Sequence, residues 1–250
     1  GPEFGTCLHQ ILERLDFAVD DRAALEALVR DALRDHGFAA ETASEALTEL
    51  LLRLRRAPLD PAVPGLRLDQ VPASECVREL EFHCPVRALV SRELGDWYGK
   101  PAGGEEQLPL RFDDLAFEVR GGYLQGFVDL VFRYGGRFFV VDWKSNYLGP
   151  APEDYAESGL RRAMAEHQYG LQAYLYAAAL HRWLQQRVAG YRFDRHFGGL
   201  YYIFVRGIDP ERPDRGVFRE HPTEERIQRL SACFARGLGK GPGILETGAH

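Results

Sequence analysis

Two aspartates and a lysine carry the first chemical signal in this chain. Asp129 lies in the run Gly126-Phe127-Val128-Asp129-Leu130-Val131-Phe132, and Asp142 and Lys144 lie in Phe138-Phe139-Val140-Val141-Asp142-Trp143-Lys144. Both runs are rich in Val and Phe, and Gly135-Gly136 between them suits a tight hairpin turn. A two-residue loop at that point sets Asp129 directly opposite Asp142. Opposed residues of an antiparallel pair share a face, and Lys144, two residues further on, shares it too. Two carboxylates on an apolar sheet repel each other unless a cation joins them. With an ammonium beside them, the arrangement suits divalent-metal chemistry on a phosphate.

The surrounding sequence must position that hairpin. Thr6 reads as the N-cap of a helix over 6–16, with Leu8, Ile11, Leu12 and Leu15 as its apolar stripe. A second amphipathic helix spans 21–35, with Gly37 beyond its end, and a third spans 42–56, halted by Pro58, Pro61 and Pro64. A short strand follows over 78–82, then a helix over 86–98 and a polar loop from Gly99 to Gln107. After the hairpin, Gly149 to Pro152 leads into one long helix over 153–187. A strand over 198–206 and a helix over 223–237 close the chain. Strands alternating with helices predict an α/β fold, a mixed central sheet flanked by helices with an N-terminal helical section. Gly1-Pro2-Glu3-Phe4 reads as a cloning scar, which leaves 5–250 as a single domain excised from a larger subunit.

Composition narrows the function classes. The chain has 250 residues, is 45% apolar and carries a net charge of −6. That charge argues against a free-standing, high-affinity nucleic-acid binder, yet acidic metal ligands contribute to it. Arg53, Arg55 and Arg56, and then Arg161 and Arg162, are the densest basic clusters. No run approaches the ~20 apolar residues that span a bilayer, so no membrane is expected. Cys7, Cys76, Cys84 and Cys233 form no zinc-like spacing, which fits a reduced, cytoplasmic chain without a cysteine-bound iron–sulfur cluster. The phosphate loop G-x-x-x-x-G-K-[ST] does not occur, so no ATP site is expected.

Asp, a hairpin and then Asp-x-Lys resemble the core of the PD-(D/E)xK nuclease superfamily. The ordered set Gly5-Thr6-Cys7-Leu8-His9, Arg78-Glu79-Leu80-Glu81-Phe82, Gly126-Phe127-Val128-Asp129, Asp142-Trp143-Lys144-Ser145-Asn146, His167-Gln168-Tyr169-Gly170-Leu171-Gln172-Ala173-Tyr174-Leu175-Tyr176 and Phe197-Gly198-Gly199-Leu200-Tyr201-Tyr202-Ile203-Phe204-Val205-Arg206-Gly207 goes further. It resembles the C-terminal nuclease domains of the RecB family, the beta subunits of exodeoxyribonuclease V, over nearly the whole chain. The resemblance implies His9, Asp129, Asp142 and the Trp143 carbonyl as metal ligands and Lys144 as the catalytic lysine. It implies an acid on the earlier strand, which is Glu79 or its neighbour Glu81, with Glu79 preferred. Gln172 and Tyr176 match the motif Q-x-x-x-Y, one helix face that Gln168 would extend, and would position DNA. Arg161 and Arg162 are candidates for backbone contacts, whereas Tyr202 and Arg206 read as structural. The implied cofactor is Mg2+, with Mn2+ able to substitute. The implied partners are DNA and, in an intact complex, RecC-like and RecD-like subunits, with the excised domain itself a monomer. Two other readings stay open, a catalytically silent DNA-binding or docking module and the nuclease of a differently partnered RecB-type protein.

Overall fold

The computed structural model describes residues 1–85, 118–120 and 123–236. The helix expected over 86–98, the loop expected from Gly99 to Gln107 and residue 237 lie outside the described residues. A sheet of order β1-β3-β4-β5-β6, with β2 also paired to β3, forms the middle layer. Its strands are β1 (Cys76–Pro85), β2 (Glu118–Arg120), β3 (Tyr123–Tyr134), β4 (Arg137–Lys144), β5 (Phe197–Phe204) and β6 (Val217–Glu220). Helices α1 (Pro2–Arg14), α2 (Arg22–Asp35) and α3 (Ala40–Arg56) cover one face. Helices α4 (Glu157–Glu166), α5 (Tyr169–Arg187) and α6 (Glu224–Arg236) cover the other. This is the mixed sheet between helical layers that the alternation of elements predicts.

The pleat of β4 assigns its side chains to the two layers. Phe139, Val141 and Trp143 pack with α1 to α3 beside Leu8, Ile11, Leu51 and Leu54. Phe138 and Val140 pack with the α5 layer beside Leu171, Leu175 and Tyr202. Asp142 and Lys144 follow Val140 at the period of two and so face α5. The turn between β3 and β4 is the expected one: Gly135 and Gly136 have φ of 56° and 80°, and Tyr134 pairs with Arg137. Both central residues of such a turn need positive φ, which glycine adopts without cost.

Several boundaries differ from expectation. Helix α1 begins at Pro2, so Thr6 is not its cap but sits inside it, its hydroxyl donating to the Pro2 carbonyl at 3.3 Å. Proline suits the first helical turn, and Phe4 in that turn packs edge-on against Phe38. Helix α2 starts as predicted, with the Asp21 side chain capping Ala24 N–H. The long helix expected over 153–187 is broken. Pro152–Tyr155 is a 3-10 turn, α4 ends at Glu166, and Gln168 takes a left-handed φ of 58° before α5 begins. Gln168 therefore does not extend the row of Gln172 and Tyr176. The sequence reading also missed β2 and β6, the latter pairing antiparallel with β5 along the far edge.

Candidate active site

The sheet forks at the two aspartates. β3 and β4 pair from Tyr134↔Arg137 to Leu130↔Val141, and the ladder stops there. Beyond that rung β3 stays with β1 while β4 continues parallel to β5 as far as Lys144↔Phe204. Asp129 and Asp142 are the next residues on each strand. In place of another rung, the Trp143 N–H donates to Asp129 Oδ2 at 2.7 Å. A carboxylate thus takes the place of a backbone acceptor, which satisfies a donor that the fork would otherwise orphan.

On the α5 side, Asp142 is 3% exposed and Lys144 9%. Lys144 Nζ lies 2.6 Å from Asp142 Oδ2. Both partners of this ion pair are buried, so the two charges meet each other rather than water. The same ammonium sits 3.6 Å above the Tyr169 ring centroid and 5.3 Å from that of Tyr202, and donates to Gln172 Oε1 at 3.4 Å. Gln172 Oε1 also accepts from the Tyr202 hydroxyl at 3.2 Å, and its amide donates to the Tyr176 hydroxyl at 2.8 Å. An ion pair, two aromatic faces and an amide oxygen together compensate a buried ammonium that would be costly alone.

His9 reaches the fork from α1. Its Nε2 donates to the Trp143 carbonyl at 3.2 Å, and its Nδ1 lies 3.6 Å from Asp129 Oδ1. With the proton on Nε2, a neutral ring turns a lone pair toward a carboxylate oxygen. A proton or a cation is what that gap calls for. Burial, foremost, holds the His9 imidazole below its ordinary pKa. Burial and then the charge of Asp142 push Asp129 up to about 8, against the pull of the Trp143 N–H and Lys144. Glu79 stands at the exposed rim of the same cluster on β1. Its carboxyl is also pushed up, first by desolvation against the body of the protein and then by Glu13 and Asp142. Glu81 instead accepts from the Gln125 amide at 2.5 Å.

Among the described residues, no three His, Cys, Asp or Glu side chains stand close enough together to hold a metal ion. The geometry gives the reason. Asp142 is turned onto Lys144, Asp129 onto the Trp143 N–H, and His9 onto the Trp143 carbonyl. The donor set nevertheless fits a hard divalent cation: two carboxylates that repel, a carbonyl and an imidazole.

The other predicted site residues fall less centrally. Arg161 pairs with Glu157 one turn back at 3.0 Å and stacks 6.0 Å from the Phe218 ring centroid, whereas Arg162 is exposed. Tyr174, Leu175 and Ala178 are core, as expected. Tyr169 was missed, and Tyr202 proves to touch the site chemistry rather than only the core. The available signal was the spacing of Tyr169, Gln172 and Tyr176, which places all three on one face of α5.

A family model for the PD-(D/E)XK nuclease superfamily matches residues 1–240. The chain belongs to that superfamily. Within the superfamily it is related to the nuclease domains of RecB. It is 36% identical over 246 residues to the RecBCD enzyme subunit RecB of Escherichia coli, covering 94% of this chain and 19% of that protein. The Haemophilus influenzae subunit of the same name is 34% identical over 234 residues, covering 94% of this chain and 18% of its own length. For the Mycobacterium tuberculosis subunit the figures are 35% over 266 residues, 95% and 24%. This PD-(D/E)XK chain thus spans a quarter or less of each of these relatives.

Proposed function

We propose that the chain is a divalent-metal-dependent deoxyribonuclease domain that hydrolyses DNA phosphodiester bonds. The observation that carries this reading is the fork, where Asp129 and Asp142 converge from strands that part and Lys144 is held beside them by Gln172, Tyr169 and Tyr202. Asp129, Asp142, the Trp143 carbonyl and His9 would hold the cation, with Glu79 reaching it from the rim. When bound, Mg2+ or Mn2+ supplies Lewis acidity and makes a water a better nucleophile. Lys144 offsets charge on the phosphoryl oxygens as water attacks in line. Gln172 fixes the lysine through its oxygen and, with Tyr176, orients the strand beside the cation. Within a complex of the RecBCD type, beside RecC-like and RecD-like subunits, this domain would process double-strand-break ends for recombination and degrade linear DNA.

The test is degradation of end-labelled linear single- and double-stranded DNA with Mg2+, with Mn2+ and with EDTA, for this chain and for Asp142→Ala. Cleavage that needs metal and disappears in a folded Asp142→Ala supports the assignment; undiminished cleavage by that variant sinks it. The inward pairing of Asp142 with Lys144 favours one competitor, a silent module that binds DNA or a subunit without metal. Calorimetric titration decides between them, because a silent module takes up neither Mg2+ nor Mn2+ and melts at the same temperature with and without them.

A further inference from the structure

Outside the fork, the C-terminal ends of β4 and β5 open onto a cleft of about 380 Å³. These two strands are the parallel pair of the sheet. Ligand sites in open α/β sheets gather outside the carboxyl ends of parallel strands. Tyr147 lines the cleft from the segment after β4, Arg206 from the turn after β5, Arg53 from α3 and Arg215 from the turn before β6. Asp209 is the one acid among the described residues that line it. A basic cleft on a chain of net charge −6 marks a place where the protein gathers positive potential against its own average.

The cationic groups are held without being neutralised to the same degree. Arg206 Nε donates to the Ser145 carbonyl at 3.0 Å, and its guanidinium lies 4.8 Å from the Phe4 ring centroid. Neither contact cancels its charge. Arg53 is exposed, and its Nε donates to the Glu49 carbonyl at 3.4 Å. Arg215 pairs with Glu153 at 2.9 Å, while its Nε is buried and without a hydrogen-bond partner. Arg53 stands between this cleft and a neighbouring one around Asp20, Arg22, Glu49 and Arg56, where Arg22 pairs with Glu49 and Arg56 with Asp20. Tyr147, a residue 66% exposed, completes the cleft. It lies three residues past Lys144, so its main chain is within about 10 Å of that of the lysine.

We propose that this cleft binds a single DNA strand next to the scissile phosphate, with Tyr147 stacking on a base and Arg53, Arg206 and Arg215 facing the phosphates. The inference rests on the nuclease reading for its substrate. Stacking on an aromatic side chain and tracking of the backbone by cations are what sequence-independent single-strand binding requires. The cleft supplies both within a few nucleotides of the fork.

Binding is measured in EDTA, where metal-dependent cleavage does not intervene, by fluorescence anisotropy of a labelled thymidine oligonucleotide of about 20 nucleotides across a salt series. Tyr147→Ala weakens affinity about five-fold or more and leaves the salt slope unchanged, and Tyr147→Phe restores affinity. Arg53→Gln reduces the slope of log K against log salt by about 0.7, one phosphate contact on a single strand. Both substitutions fall on exposed side chains, and thermal melting checks that the fold is kept. No binding by the unaltered chain overturns the proposal, as does wild-type affinity and slope in both variants, or an equal loss for a duplex of the same length. The two readings fail separately. A chain that loses oligonucleotide binding on Tyr147→Ala yet cleaves nothing with metal keeps the cleft and loses the nuclease.

Discussion

Lys144 is the residue on which the candidate chemistry turns, and its environment explains how a buried ammonium stays in place. A lysine side chain is long and loses substantial rotamer entropy when fixed. Here Asp142, Gln172 and the faces of Tyr169 and Tyr202 fix its end. A cation over an aromatic face is worth about 0.5–2 kcal/mol. Tyr169→Leu should therefore lower kcat for DNA cleavage roughly two- to thirty-fold with little change in KM, because the phosphate-facing groups remain. Tyr169→Phe keeps the ring and should cleave near the wild-type rate, so single-turnover rates of the two variants check the role. A fall of equal size in Tyr169→Phe would move the effect to the hydroxyl, which donates to Asn146 Oδ1 at 3.4 Å. The acids and the lysine were legible in the sequence because one hairpin with a period of two carries all three. The aromatic faces were not, since Tyr169 and Tyr202 arrive from α5 and β5 and only the folded sheet brings them over Lys144.

At the scale of elements, the site is made by places where regular structure gives way. β3 leaves β4 at Leu130↔Val141, and across from Asp129 on the other side, Glu79 interrupts β1 with a φ of 47°. The rungs on either side, Arg78↔Leu130 and Leu80↔Val128, keep the register, so the distortion is local. A left-handed residue other than glycine costs about 1–2 kcal/mol, and such strain gathers at functional sites. Without metal, Glu79→Gly should melt no lower than wild type, although glycine inside a strand ordinarily costs about 0.5–1 kcal/mol. A clear drop in melting temperature would remove the strain argument. The β3–β4 turn gives the opposite test. A Cβ at Gly136 meets nothing within 4 Å, so Gly136→Ala has only its φ of 80° against it. Urea unfolding should show a loss of about 1 kcal/mol, with the denaturant slope unchanged. That turn was legible from Gly135-Gly136 alone, as was the register it sets. The break at Gln168 was not, because His167 and Gln168 carry neither proline nor glycine to announce it, and the apolar pattern runs on from α4 into α5.

For the whole molecule, the fork is a local excess of negative charge that the fold tolerates and that a cation would relieve. Asp129 titrates near 8 in the folded chain, chiefly through burial and then through Asp142, against about 3.9 when unfolded. Between those values the folded state holds a proton that the unfolded state has released, so stability from this group falls as pH rises through the window. Below about pH 4 both states are protonated and the penalty is absent; above about pH 8 both are ionised and it is complete. His9 acts in the other direction. Its lowered pKa means that the unfolded state takes up the proton first, and stability from this group is lost as pH falls through the range below about 6.5. The wild-type melting curve therefore mixes opposed slopes, and the difference from Asp129→Asn isolates the carboxyl. In EDTA, the melting temperature of the unaltered chain should fall relative to Asp129→Asn as pH rises from 5 towards 8. Adding Mg2+ at pH 8 should raise the melting temperature of the unaltered chain and do little for the variant, because a ligand that binds only the folded state stabilises it in proportion to its occupancy. A metal-free difference that stays constant over that pH range would show that Asp129 folds already ionised, its charge matched by Lys144 and the Trp143 N–H alone.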